Sequence, residues 1–274
     1  MPYVDVDGTR LYYEEAGAGE PVVFAHGNWT DHSSWALTVP ELPASQRAIV
    51  YDRRGTGRSP RTREALTRRR HEDDLAALIE ALGPAPAHVV GNSYGGSTAL
   101  GLAARRPELV RSVVAHEPPL LAIVGDDPIA RAAIAETEAS LGAVLERVEA
   151  CDAAGGAEQF VEEVALGPGG WATLPDFIRE IMILNAATVA EELRDPAAVE
   201  VDLAALAELD LPVLLTKGDQ SPAWCSAIVD RLDEAIEVAR VVTVAGAGHN
   251  PHATHPAEYA AVVAEHARIG EVVR

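Results

Sequence analysis

Between the short apolar run His88-Val-Val90 and an amphipathic helix reaching about Arg106 lies Gly91-Asn92-Ser93-Tyr94-Gly95. A strand that passes into a helix through so few residues needs a very tight turn. The turn holds Ser93 at a strained backbone angle. Side chains at 91 and 95 would collide with neighbouring backbone, so both positions must stay small. The geometry lifts the Ser93 hydroxyl clear of the sheet edge. It also aims the first amides of the helix at the same space, where the helix dipole favours negative charge. A Gly-rich strand–helix turn also occurs as plain structure or as a phosphate cradle, so the rest of the chain must decide among these readings.

The rest of the chain alternates in the same way. Leu11 to Glu15 follows a Val-Asp-Val-Asp-Gly turn and reads as an early hairpin. Pro21 to Ala25, Ala48 to Tyr51, His88 to Val90 and Val110 to Ala115 are short apolar runs bounded by turn residues, the pattern of buried parallel strands. A helix from about Arg69 to Leu82 separates the second from the third, with Gly83 as its stop. From about Leu120 to Leu209 the pattern turns helical, over Ile129–Glu149, Ala157–Ala165, Pro175–Leu193 and Val201–Glu208, broken at Gly167-Pro-Gly-Gly170. Strand Pro212–Thr216, helix Ala223–Ala239, strand Val241–Val244 and helix Pro256–Val273 close the chain. This order predicts an α/β fold with a mostly parallel sheet flanked by helices. The helical block is too long for a loop. It is expected to be a cap subdomain over 120–209, inserted into a core domain of 1–119 and 210–274.

The chain has 274 residues and a formal net charge of -20. Such a surface repels phosphate backbones and anionic membranes, so neither nucleic acid nor a membrane is expected as partner. The arginines between Arg58 and Arg70 read as a solvated loop and helix start rather than an anion site. Cys151 and Cys225 give no disulfide framework and no zinc spacing, which suits a reducing cytoplasm. Met1 to Arg10 lacks the basic and apolar regions of a signal peptide. No apolar run reaches the roughly 20 residues a membrane span needs. High Ala and Arg with little Lys is a composition common in high-GC bacteria.

Four motifs occur in one order: His26-Gly27-Asn28-Trp29, Asp52-Arg-Arg-Gly-Thr-Gly-Arg-Ser59, Gly91-Asn-Ser-Tyr-Gly95 and Gly246-Ala-Gly-His249. With these the chain resembles the α/β-hydrolase superfamily from about Pro21 through Glu265. The resemblance implies the α/β-hydrolase fold with a nucleophile elbow at Ser93 and a base at His249. It implies an oxyanion hole from the backbone amides of Asn28 and Tyr94, with no cofactor and no metal. The Asn28 side chain either adds a donor or only caps the loop. His26 is expected behind that loop as a structural residue. His252 and His255 stand three apart, but Pro251 and Pro256 break the segment and no acidic ligand accompanies them. His32, His71, His88 and His266 read as surface or strand-end residues.

The acid that orients His249 has two candidates. Most members of the superfamily carry it three residues beyond the Gly after strand 212–216, and here that position is Ser221; Asp219 lies close by. Some members place it after the preceding strand, where this chain has Glu117. Glu117 sits next to the elbow strand and is the better placed, with Asp219 as the alternative. His-Gly-Asn also resembles haloalkane dehalogenases, but those need an Asp nucleophile with an adjacent halide-binding Trp, and here stand Ser93 and Tyr94.

These residues point to a serine hydrolase acting on a small to medium apolar ester, lactone or thioester. Perhydrolase, C–C bond hydrolase or hydroxynitrile lyase chemistry on the same triad stays open, as does a non-catalytic ligand-binding protein. Trp29 and Trp171 are the candidate substrate-binding aromatics. Trp171, Phe177, Ile181, Met182 and Leu184 either line a pocket or form the core of the helical block. A homodimer is left open.

Overall fold

The structure is a computed structural model that describes residues 2–83, 85–125 and 128–272. Eight strands form one sheet: β1 (Tyr3–Val6), β2 (Thr9–Gly17), β3 (Glu20–Ala25), β4 (Gln46–Tyr51), β5 (Ala87–Asn92), β6 (Val110–His116), β7 (Val213–Gly218) and β8 (Ala239–Val244). Their order across the sheet is β1-β2-β4-β3-β5-β6-β7-β8. The first two pairings, β1 with β2 and β2 with β4, are antiparallel; β3 to β8 run parallel. All six residues of β5 are buried, as a central strand covered on both faces requires.

Successive strand residues serve opposite faces. Val23, Val89, Val113 and Leu215 join one core with Leu75, Leu78, Ile79 and Leu100 from helices α1 (Arg68–Leu82) and α2 (Tyr94–Arg105). Val22, Phe24, Val90, Val114 and Leu214 join another with Trp35 and with Tyr259 and Val263 of the last helix. Each fully buried large aliphatic side chain contributes about 1.5–3 kcal/mol. Helix α1 starts where the Thr67 hydroxyl accepts from Arg70 N and ends at Gly83, whose φ of 72° suits a residue without a side chain.

Between β6 and β7 the chain is helical: α3 (Pro128–Glu149), α4 (Ala153–Phe160), α5 (Gly170–Thr173), α6 (Asp176–Glu192) and α7 (Leu203–Ala207). Their own core gathers Val144, Ala157, Val161, Met182, Ala186 and Val189, with Trp29 reaching in from the β3 loop. The two ends of the block behave differently: Ala130, Ile134, Leu206 and Leu209 pack into the sheet core. After β7 come α8 (Ala223–Ala235), α9 (Pro251–Thr254) and α10 (Pro256–Val272).

Two helix boundaries lie four residues from the sequence expectation. The helix expected to reach Ala239 stops at Ala235, because Ile236 turns into extended backbone to bury its side chain and start the return to β8. Helix α4 begins at Ala153, where the Asp152 carboxylate accepts from Gly155 N, and Val161–Ala165 continues it as a π-turn. Val273, the expected end of the last helix, lies outside the described residues. Among the described residues, no helix is long and apolar enough to cross a membrane.

Candidate active site

Every parallel strand delivers its C-terminal end to the same sheet edge, so residues distant in sequence meet there. Ser93 follows β5 with φ 54° and ψ -123°, a strained conformation for a residue with a side chain. The glycines around it are obligatory. A Cβ on Gly91 would come within 2.2 Å of Gly95 O, and one on Gly95 within 2.1 Å of Ala25 O. Ser93 N donates to His116 O at 2.8 Å, which pins the turn to the next strand.

Glu117 follows β6, also at positive φ (42°), and its side chain is fully buried. Its Oε2 lies 2.7 Å from His249 Nδ1, and its Oε1 accepts from Gly218 N at 2.8 Å. Burial alone would raise the carboxyl pKa. The His249 hydrogen bond and the field of His116 outweigh it and hold the group at about 2. An ionised carboxylate only accepts, so Nδ1 of His249 carries the proton and Nε2 is left as the acceptor. The His249 side chain is 33% exposed, so this pair joins a buried charge to the solvent side of the edge. Asn92 Nδ2 donates to His249 O at 2.9 Å and ties the histidine loop to the elbow. Among the described residues, no protein group bonds the Ser93 hydroxyl or His249 Nε2.

Asp219 goes elsewhere. Its Oδ1 accepts from Gly246 N at 2.8 Å at the exposed turn before His249, and it does not touch the imidazole. Of the two acid candidates, the fold therefore brings only Glu117 to His249. His116 is buried behind them, with Nδ1 2.9 Å from Thr216 Oγ1, and burial lowers its pKa to about 4.

The loop after β3 lies directly against the elbow. A Cβ on Gly27 would sit 3.3 Å from Ser93 Cβ. Asn28 follows, its Oδ1 accepting from Arg53 Nη2 at 3.1 Å. Tyr94 is the first residue of α2, and its ring is buried. Among the described residues, neither the Asn28 nor the Tyr94 N–H has an acceptor within the protein. Trp29 is 4% exposed and stacks on Phe160 with ring centroids 4.9 Å apart, and Trp171 packs on the same core. Both indoles thus belong to the core of the helical block. Of the apolar stripe, Met182 is buried there, whereas Phe177 and Leu184 are 59% and 67% exposed and face solvent.

Several histidines depart from their expected places. His71 is buried 2.8 Å from Glu192 Oε1, His88 meets Ser112 Oγ at 2.8 Å inside the sheet, and His266 is buried on the inner face of α10. His252 is buried against Trp35, while His255 bonds Thr254 near the surface, so the two do not converge. Among the described residues, two groups bring three ligand-type atoms within 4.8 Å: His116, Glu117 and His249, and Asp31, His32 and Asp52. In both, the carboxylates already accept backbone amides. Most arginines of the basic stretch are neutralised by Glu14, Glu64, Asp7, Glu72 or Glu191.

Sequence reasoning missed Arg53 and Glu192, which are buried together directly beneath the Asn28 loop. One signal was present. Asn185, Thr188 and Glu192 recur at three- and four-residue spacing on one face of α6, a polar stripe.

A sequence profile described as the alpha/beta hydrolase family matches residues 22–262. A protein named as a carbamate hydrolase in Azorhizobium caulinodans is 36% identical over 113 residues, 41% of this chain and 43% of that protein. The 2-hydroxymuconate semialdehyde hydrolase of Pseudomonas sp. CF600 is 40% identical over 111 residues, 39% of each. The chain thus aligns with less than half the length of either relative. An alpha/beta hydrolase from Sphaerobacter thermophilus shares the fold at a TM-score of 0.75 with 25% identity, covering 96% of this chain and 99% of that one. The elbow, the sheet order and the profile agree: the chain belongs to the alpha/beta hydrolase family.

Proposed function

We propose that the protein is a serine hydrolase in which Ser93 is the nucleophile, His249 the base and Glu117 the orienting acid. The observation that carries this reading is the 2.7 Å contact from buried, ionised Glu117 to His249 Nδ1, at the edge where the strained elbow presents Ser93. His249 Nε2 takes the Ser93 proton as the hydroxyl attacks a carbonyl carbon. The Asn28 and Tyr94 amides hold the developing oxyanion, and Glu117 stabilises the imidazolium. His249 then protonates the leaving group. The same base next draws a proton from water, which releases the acyl group and restores Ser93. The lack of a Ser93–His249 hydrogen bond among the described residues is compatible with this reading, because such contacts often tighten only around substrate.

The substrate is read as a small to medium apolar ester, lactone or thioester, free of nucleic acid or membrane partners. The helical block serves as the cap above the site, and the enzyme works in the cytoplasm. The test is steady-state hydrolysis of p-nitrophenyl butyrate by wild type and Ser93→Ala. Loss of at least about 1,000-fold in kcat is expected, and a loss under about tenfold contradicts the reading.

A second reading has specific support. The Pseudomonas relative is named for hydrolysis of 2-hydroxymuconate semialdehyde, and the similarity is 40% over the aligned stretch. C–C bond hydrolysis would use the same edge. Acid products formed from a vinylogous diketone, with butyrate ester left intact, would select it over ester hydrolysis.

A further inference from the structure

Arg53 and Glu192 form a buried ion pair that the proposed chemistry does not use. Arg53 follows β4 and Glu192 ends α6 in the helical block; both side chains have no exposure. Nη1 of Arg53 meets Glu192 Oε1 and Nη2 meets Oε2, a forked contact. Burying two charges is costly, and apolar residues of similar volume often stabilise a fold as well or better. Stability is therefore a weak reason for this pair to exist, and its remaining contacts suggest another.

Those contacts converge on one peptide. Arg53 Nη2 also donates to Gly27 O at 3.2 Å and to Asn28 Oδ1 at 3.1 Å. His26 adds a second donor. Its Nε2 accepts from Arg53 N at 3.0 Å, so its Nδ1 carries the proton and donates to Gly27 O at 2.8 Å. The Gly27 carbonyl and the Asn28 N–H belong to the same planar trans peptide and point in opposite directions. Two donors fixed on the carbonyl therefore fix the direction of the N–H. They also polarise it, since hydrogen bonds on one end of an amide strengthen those at the other. Arg53 also packs on the Tyr94 side chain, its guanidinium carbon 4.7 Å from the centroid of the ring.

Glu192 holds Arg53 in this pose, and α6 is itself fastened to the loops it spans. Asn185 Oδ1 accepts from Gly57 N, Asn185 Nδ2 donates to Thr30 O, both at 3.0 Å, and Thr188 Oγ1 donates to Gly55 O at 2.5 Å. His71 Nε2 stands 2.8 Å from Glu192 Oε1 on the other side.

We infer that Arg53 and Glu192 are positioning residues that aim the Asn28 amide at the oxyanion, so that the helical block contributes to the oxyanion hole without touching substrate. This rests on the reading of Ser93 as the nucleophile.

The test compares wild type, Glu192→Gln, Arg53→Lys and the double variant Arg53→Met/Glu192→Met. The readouts are melting temperature, Ser93 labelling by a fluorophosphonate, and kcat and KM for p-nitrophenyl butyrate. Glu192→Gln leaves Arg53 buried without its counter-charge and lowers the melting temperature. The double variant removes both charges and regains it. Its labelling rate and kcat nevertheless stay about 10- to 100-fold below wild type, with KM within about threefold, because a misaimed donor costs less than a missing one. Arg53→Lys keeps the charge but cannot fork to Gly27 O and Glu192 together, and it shows the same split at about tenfold. A double variant that melts and labels like wild type overturns the inference, as does an unimpaired Arg53→Lys should the double variant fail to fold. Wild type that does not label overturns the serine reading, and this inference with it.

Discussion

Glu117 and Glu192 are both fully buried carboxylates, and each is held at about pKa 2 by basic neighbours that outweigh the cost of burial. Glu117 comes from a strand end in the sheet, and its charge terminates on an imidazole that is 33% exposed. Glu192 comes from the helical block, and its charge terminates on an arginine with no exposure that grips backbone. The same side chain in nearly the same electrostatic state thus serves two ends. Where the partner meets solvent and can exchange a proton, the pair is built for chemistry. Where the partner is sealed and permanently charged, the pair can only hold geometry.

Breaking the first pair should cost the most activity. Glu117→Gln keeps the shape but cannot stabilise the imidazolium, and its amide can present the wrong hydrogen-bonding face to Nδ1. A fall in kcat of about 1,000- to 10,000-fold is expected in an ester assay, with the fold retained by circular dichroism. A fall under tenfold would mean that Glu117 is only a structural partner of His249.

Acid separates the pairs from the rest of the core. Burial lowers the pKa of His88, His116 and His266 to about 4 and of His252 to about 3. In the unfolded chain these groups bind protons near pH 6.5. The unfolded state therefore binds more protons as pH drops, and stability is lost from about pH 6.5 downward, by up to about 1.4 kcal/mol per group per pH unit. Glu117 and Glu192 stay ionised through that window. Their contribution is present above about 4.5 and disappears as pH falls toward 2. Melting temperature should hold between pH 7.5 and about 6.5 and then fall steadily down to pH 4.5. A flat profile would show that these histidines are not held neutral.

Asp219→Asn should do least. Its oxygen accepts one turn amide at an exposed position, and an amide oxygen can do the same. Activity within about threefold of wild type is expected in the same ester assay. A loss approaching that of Glu117→Gln would reverse the assignment of the acid.

The sequence announces the parts of the site that are local. The elbow is a five-residue pattern, the histidine sits in its own glycine loop, and Glu117 directly follows an apolar strand. Parallel topology then brings these ends together without further information. Glu192 was not legible because its meaning depends on a contact across 139 residues with Arg53, which no local pattern encodes. His71 and His266 lie on amphipathic helices whose buried faces include them, and a polar residue on such a face reads as exposed until its neighbours are known. Trp29 and Trp171 have the chemistry of a substrate pocket, but the fold turns them into the core of the helical block. Phe177 and Leu184 follow a helical spacing, yet they lie on the face that α6 turns away from that core.

The most direct test is intact-mass labelling with a fluorophosphonate on wild type, Ser93→Ala, Glu117→Gln and Asp219→Asn. Fast single labelling of wild type and Asp219→Asn, none on Ser93→Ala, and labelling slowed at least about 100-fold on Glu117→Gln is the predicted result. Undiminished labelling of Glu117→Gln, or none on wild type, would contradict the account of a serine activated through the Glu117–His249 pair.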